Sequence, residues 1–303
     1  MVESISGSDR LRVFFAGLAA SVVSKGVSAT LNAPVERSRM LLQLQGFPGH
    51  IPRAQRYSGV VSALGRIPRE QGVAALWRGN LASVLRAAPP YCLNAVLAGR
   101  YKALFPRYSS ATDYWKWFVT NIASGALAGA MSLLLVYPLD LAYTLMALDV
   151  GAGAARQFRG LRHCLATVYR HGGVGALYCG FGMSVAGIIV YRAVYFGAYD
   201  LVKQMLARGA RRPSLFVSWL AATGVSAVAA LATYPLSTVG RHLMMQAGAG
   251  TLAYAGAVDC ARALFAAGGI WAFYGGVHVP LLNLVAAPVL SVLYSRAKTV
   301  LSA

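Results

Sequence analysis

One unit occurs three times in this 303-residue chain, and that repetition constrains its fold more than any other feature. Pro34, Pro138 and Pro235 each lie in a long apolar run: NAPVERSRMLLQLQ (32–45), VYPLDLAYTLMALD (136–149) and TYPLSTVGRHLMMQ (233–246). Downstream of each proline stand two aromatic-x-Gly elements. They are Tyr57-Ser58-Gly59 with Trp77-Arg78-Gly79, Phe158-Arg159-Gly160 with Tyr178-Cys179-Gly180, and Tyr254-Ala255-Gly256 with Tyr274-Gly275-Gly276. In every copy the two glycines are 20 residues apart. This registration divides the chain into repeats at 1–110, 111–209 and 210–303, together making one domain.

Within each repeat the hydrophobic pattern predicts a long apolar helix through the proline, a short amphipathic helix and a second apolar helix. The long runs fall at 11–45, 79–105, 115–149, 181–207, 213–246 and 278–300, and the short ones at 58–70, 160–171 and 257–267. Each long run exceeds or matches the roughly 20 apolar residues that cross a bilayer core. Hydrophobic residues are 57% of the chain and charged ones only 12%, yet the net charge is +19. The expected fold is therefore an all-α membrane protein: six transmembrane helices in three pseudo-threefold repeats, each carrying a short amphipathic helix on the same side.

The basic residues of that side, among them Arg53, Arg56, Arg66, Arg156, Arg159 and Arg170, should meet anionic lipid heads. Basic charge set between long apolar runs excludes a nucleic-acid binder. Four cysteines without C-x-x-C pairing and five scattered histidines give no metal site. No nucleophile and base share a motif, so no enzyme is expected. The opening MVESISGSDR resembles neither a secretory signal nor an Arg-rich transit peptide, which makes internal targeting the expectation.

With the threefold proline and aromatic-x-Gly motifs in hand, the chain resembles the mitochondrial carrier family, and within it the ADP/ATP carriers. The likeness runs along nearly the whole sequence and is strongest in REQGVAALWRGNLASVLR (69–86), VYPLDLA (136–142) and YCGFGMSVAGIIVYRAVYFGAYD (178–200). It implies a cavity that opens alternately to the two faces of the inner mitochondrial membrane, in a multi-pass protein. Two rings of ion pairs would close it. The matrix gate would use Glu36, Arg39, Gln43 and Asp140; Tyr143, Ser237 and Gly240 stand where the family has charges. The cytoplasmic gate would use Lys102, Asp200, Lys203 and Lys298, with Gly99 and Ser295 in place of acids.

The resemblance places substrate contacts at Lys25, Arg86, Asn94, Gly187, Ile188, Tyr191, Arg192 and Asn283. A glycine lets a flat base slide against the helix, Tyr191 offers a stacking face, and arginines bind phosphate bidentately. It also makes Tyr57, Gly59, Trp77, Gly79, Phe158, Gly160, Tyr178, Gly180, Tyr254, Gly256, Tyr274 and Gly276 a lipid-binding set. There helix N-termini would hold cardiolipin phosphates; no cofactor beyond such bound cardiolipin is expected. Two functions follow: exchange of ADP/ATP or another anion, or a carrier fold without transport, serving as a cardiolipin-binding accessory subunit of a respiratory-chain complex.

Overall fold

A computed structural model of the protein describes residues 7–86, 106, 108, 112–151, 153, 156–207, 215–250, 252–282 and 284. Eight α-helices occur among the described residues: α1 (Gly7–Leu44), α2 (Val60–Gln71), α3 (Asn80–Leu85), α4 (Tyr114–Leu148), α5 (Leu161–Leu177), α6 (Phe181–Ala207), α7 (Leu215–Ala249) and α8 (Ala257–Gly268). No strand is found among these residues. Stretches at 114–148, 181–205, 219–249 and 257–282 are long and apolar enough to cross a membrane. The last of these is not one rod, because Gly269 (φ 62°, ψ −152°) turns the chain after α8 into a 3₁₀ segment, Gly269–Tyr274.

In repeats one and three the long and short helices are present, and most of the second long run, 79–105 and 278–300, lies outside the described residues. The predicted order long–short–long is complete in the second repeat, with one difference. There α5 extends beyond the expected 160–171 to Leu177, across a break at Gly172 and Gly173. The break corresponds to the glycine turns at Gly72 and Gly269, so all three amphipathic helices end on glycine at the same place. Their outer faces are solvent- or lipid-facing, whereas Ala63 and Ile67, Cys164 and Val168, and Cys260 and Leu264 are buried against the long helices. The core gathers at this end of the bundle, where Met40, Leu44, Tyr143, Leu148, Leu243 and Tyr254 share one cluster across all three repeats.

The prolines explain a further regularity. A proline within a helix removes the N–H that would bond the carbonyl four residues earlier. The helices nonetheless continue through Pro34, Pro138 and Pro235. The three freed carbonyls belong to Thr30, Leu134 and Leu231, and each receives the polar tip of the second aromatic of its own repeat. Trp77 Nε1 donates to Thr30 O at 2.9 Å, Tyr178 Oη to Leu134 O at 3.0 Å and Tyr274 Oη to Leu231 O at 3.4 Å. In repeats two and three the link is doubled: Tyr137 and Tyr234 stack on Tyr178 and Tyr274 and donate to Cys179 O and Gly275 O. Ala33 replaces that tyrosine in repeat one, and Asn80 bonds Thr30 Oγ1 instead.

Tyr178→Phe keeps the ring and strips the donor. It should lower the unfolding free energy by about 1 kcal/mol, read from thermal unfolding in detergent. An unchanged midpoint would show that the freed carbonyl needs no partner.

The repeats close into a ring through their second glycines. Gly79, Gly180 and Gly276 all adopt left-handed φ, at 86°, 85° and 71°. A Cβ on Gly79 would lie 3.1 Å from Tyr143 O, one on Gly180 2.6 Å from Gly240 O, and one on Gly276 3.1 Å from Arg39 O. Each repeat therefore presses its glycine against the proline-motif helix of the next, with the third repeat returning to the first. That arrangement gives the pseudo-threefold axis directly. A side chain eleven residues after each proline supports it: Gln45, Asp149 and Gln246 accept the backbone N–H of Tyr57, Phe158 and Tyr254.

Candidate functional site

The proline-motif helices α1, α4 and α7 converge where the ring closes, and their polar side chains form the floor of a central cavity. Glu36 accepts two hydrogen bonds from Arg39 of its own helix, at 3.0 and 2.6 Å. Gln43 bridges repeats one and three, donating to Thr238 Oγ1 at 2.7 Å and accepting from Arg241 at 2.9 Å. Arg241 thus faces the floor although it stands one residue beyond the position of the family base. Asp140 pairs with Arg86, at the end of α3. The Arg86 guanidinium also lies over the Tyr143 ring, 4.7 Å from its centroid.

Above the floor the cavity has two lobes. One, about 630 Å³, is bordered by Asp140, Gly187, Ile188, Tyr191, Arg192, Ser237 and Arg241. The other, about 640 Å³, is bordered by Glu36, Arg39, Tyr191, Thr233, Tyr234 and Ser237. Tyr191 belongs to both, and with Tyr195 and Tyr199 it forms a stacked ladder along α6, with centroids 5.9 and 6.2 Å apart. Two glycines of α4 bring α6 close. A Cβ on Gly125 would meet the Arg192 guanidinium at 2.4 Å, and one on Gly129 would meet Ile188 at 3.0 Å.

The structure thus brings together Arg86, Asp140, Gly187, Ile188, Tyr191 and Arg192, with Glu36, Arg39 and Gln43 completing the floor. Lys25 is exposed on α1 and stands apart from both lobes. Asp200 accepts from Tyr114 Oη at 3.1 Å, tying α6 to α4, and Lys203 is exposed. Asn94, Lys102, Asn283 and Lys298 lie outside the described residues. In the aromatic-x-Gly set, the rings of Tyr57, Phe158 and Tyr254 are buried, so a headgroup could meet only their backbone. Gly59, Gly160 and Gly256 begin α2, α5 and α8 with extended φ and open space beside them.

Sequence reasoning missed Arg37. Its side chain is 1% exposed and donates to Ala75 O, to Ala147 O and Asp149 O at 2.8 Å each, and to Gln71 Oε1 at 2.8 Å. The signal available was a second arginine inside PVERSR, one residue after the acid of the proline motif. The carbonyls that hold it leave no mark in a sequence.

The family model described as mitochondrial carrier protein matches residues 12–109, 114–210 and 211–303. The chain belongs to the mitochondrial carrier family. This carrier is 46% identical over 287 residues to an ADP,ATP carrier protein of Parachlorella kessleri, covering 94% of its own length and 84% of that protein. It is 44% identical to ADP/ATP translocase 2 of Bos taurus (94% and 95% covered) and 43% identical to ADP/ATP translocase 4 of Homo sapiens (93% and 90% covered). The carrier is accordingly a multi-pass protein of the inner mitochondrial membrane.

Beyond the membrane-spanning part of the carrier, the loop after α1 holds His50, whose buried Nε2 meets no partner. It lines a cavity of about 280 Å³ with Phe47, Leu145, Gln157 and Met245. Burial lowers its pKa to about 4, with Asp149 opposing the shift. A histidine depressed in the folded state binds its proton more readily when unfolded. Its contribution to stability is complete above about pH 6.5 and is lost as pH falls toward 4. Thermal midpoints of the carrier should drop across that window, and His50→Gln should flatten the drop. Equal slopes for the two proteins would show that His50 does not titrate there.

Proposed function

We propose that this carrier exchanges ADP and ATP across the inner mitochondrial membrane by alternating access. The observation that carries the reading is the lobe beside α6. It sets a flat Gly187–Ile188 surface and the Tyr191 ring next to the Arg192 and Arg241 guanidinia. A purine fits the flat aromatic wall, and phosphates fit paired cations. The names of the relatives point the same way, and their match extends over nearly the whole chain. The role of an accessory subunit in a respiratory-chain complex is the less favoured reading. The work is movement of a solute, not its chemical conversion. The open helix starts at Gly59 and Gly160, next to the exposed Arg56 and Arg159, support a cardiolipin-bound form, whereas at Gly256 the Asp259 carboxylate accepts the Ala255 N–H.

The test is exchange of internal ADP against labelled external ATP in proteoliposomes of purified carrier. Wild type should exchange, and Arg192→Ala should slow exchange by about 30- to 100-fold through loss of one charge-assisted phosphate contact. No exchange by the wild type, with the native protein co-migrating with a respiratory complex in mild detergent, would favour the accessory role instead.

A further inference from the structure

We propose that Arg86 and Asp140 form a latch that an anionic substrate must displace, so that Asp140 acts as a built-in competitor for the carrier's own binding arginine. The inference rests on the exchange reading and concerns how that same site is set. Asp140 keeps the acid of its proline motif, but Tyr143 and Gly240 occupy the positions where the family pattern places bases. Neither side chain can offer it a cation. Arg86 fills the gap from another element: it ends α3 in repeat one, whereas Asp140 lies on α4 in repeat two. The ring of Tyr143 supports the guanidinium from one side, as the cation–π contact shows. The residue that replaced a base thus helps to seat the replacement cation.

Three features make the pair displaceable. Its side chains retain 37% and 27% of their exposure, and Asp140 borders the lobe beside α6, so an anion there reaches the pair from the Asp140 side. Of the two other cations on that wall, Arg192 and Arg241, the latter is already engaged by Gln43. A phosphate that took the Arg86 fork would also stand next to the Asp140 carboxylate, and like charges at that range repel. Latch and substrate therefore exclude one another at Arg86. By linkage, whatever the latch contributes to the closed ring is subtracted from substrate affinity. Substrate binding in turn releases repeat one from repeat two.

The experiment titrates ADP against purified carrier and its Asp140→Asn and Asp140→Ala variants by calorimetry. It also measures unliganded thermal midpoints for a cycle of Asp140→Asn, Arg86→Gln and the double variant. Both Asp140 variants should bind ADP about fivefold more tightly than wild type, the range set by a partly exposed ion pair. Without nucleotide they should unfold at lower temperature, and the double variant should be no less stable than either single one. Equal or weaker ADP binding by both variants overturns the latch, and so does additivity in the unliganded cycle. Failure of wild type and variants alike to bind ADP, with coupling present in the cycle, overturns displacement and the exchange reading while the static pair stands. Tight binding by the wild type with additive midpoints removes the latch and leaves the exchange reading intact.

Discussion

Gly180→Ala should yield carrier that is at least 3 kcal/mol less stable or does not fold, whereas Gly160→Ala should be nearly neutral in detergent. The contrast isolates one physical cause. Gly180 holds φ at 85°, a region that is about 1–2 kcal/mol unfavourable for an L-residue with a Cβ. The added carbon would also sit 2.6 Å from Gly240 O and 3.0 Å from Tyr137 Oη. The first of these is backbone in the next repeat, so relief requires α6 and α7 to separate. Separation would in turn break the bond from Cys179 Sγ to Leu243 O, and the second contact would press the Tyr137 hydroxyl away from Cys179 O. Gly160 has φ at 174°, which any residue adopts, and open space beside it. Thermal midpoints and folded yield of the two variants read the difference. Equal losses would mean that the ring of repeats is not closed by these glycines.

That glycine shows where sequence and structure part. The 20-residue spacing of the paired glycines exposed the repeat, because periodicity survives in one dimension. It did not distinguish their tasks. The first glycine begins a helix with room around it, and the second is the contact point between repeats, a fact visible only once neighbouring helices are placed. The prolines behave alike. Sequence placed Pro34, Pro138 and Pro235 inside long helices, but the aromatic that meets each freed carbonyl lies about 40 residues further on. It becomes adjacent through the fold of the repeat.

Side-chain positions around the cavity were legible where family position and physical need coincide. Glu36, Gln43, Gly187, Ile188, Tyr191 and Arg192 all border the cavity or its floor. The resemblance assigns Arg86 to the substrate contacts and Asp140 to the matrix gate, and it gives no sign that the two side chains pair. The loss of bases at 143 and 240 was visible. What could take their place depended on the distance between two helices, and a spacing of 54 residues carries no such information. Arg241 illustrates the same limit, since a one-residue offset turns a helical side chain by about 100° and only the neighbouring Gln43 shows where it points.

Arg37→Leu should destabilise the carrier by about 3–5 kcal/mol, the range seen when one side of a buried charged network is removed. A buried cation exchanged for an apolar side chain of similar reach can be neutral when its partners leave with it, but here they stay. Ala75 O, Ala147 O and Asp149 O would remain in the core; Ala75 O keeps the Arg78 backbone N–H at 3.1 Å and Asp149 O keeps the Arg78 guanidinium at 2.6 Å, so the deficit falls most heavily on Ala147 O. Each carbonyl left without a donor costs about 1–3 kcal/mol. Two of the acceptors are at the C-terminal end of α4, where a cation also complements the helix dipole. Arg37→Lys keeps the charge but cannot span carbonyls on two repeats with one ammonium, so its loss should be intermediate. Thermal midpoints of wild type, Lys and Leu should therefore fall in that order. Exchange measured below the lowest midpoint should fall far less than with Arg192→Ala, because Arg37 joins repeat one to repeat two outside the cavity and touches neither lobe. A Leu variant as stable as wild type would mean that water replaces the guanidinium at all three carbonyls, and the joint between repeats would then rest on apolar packing alone.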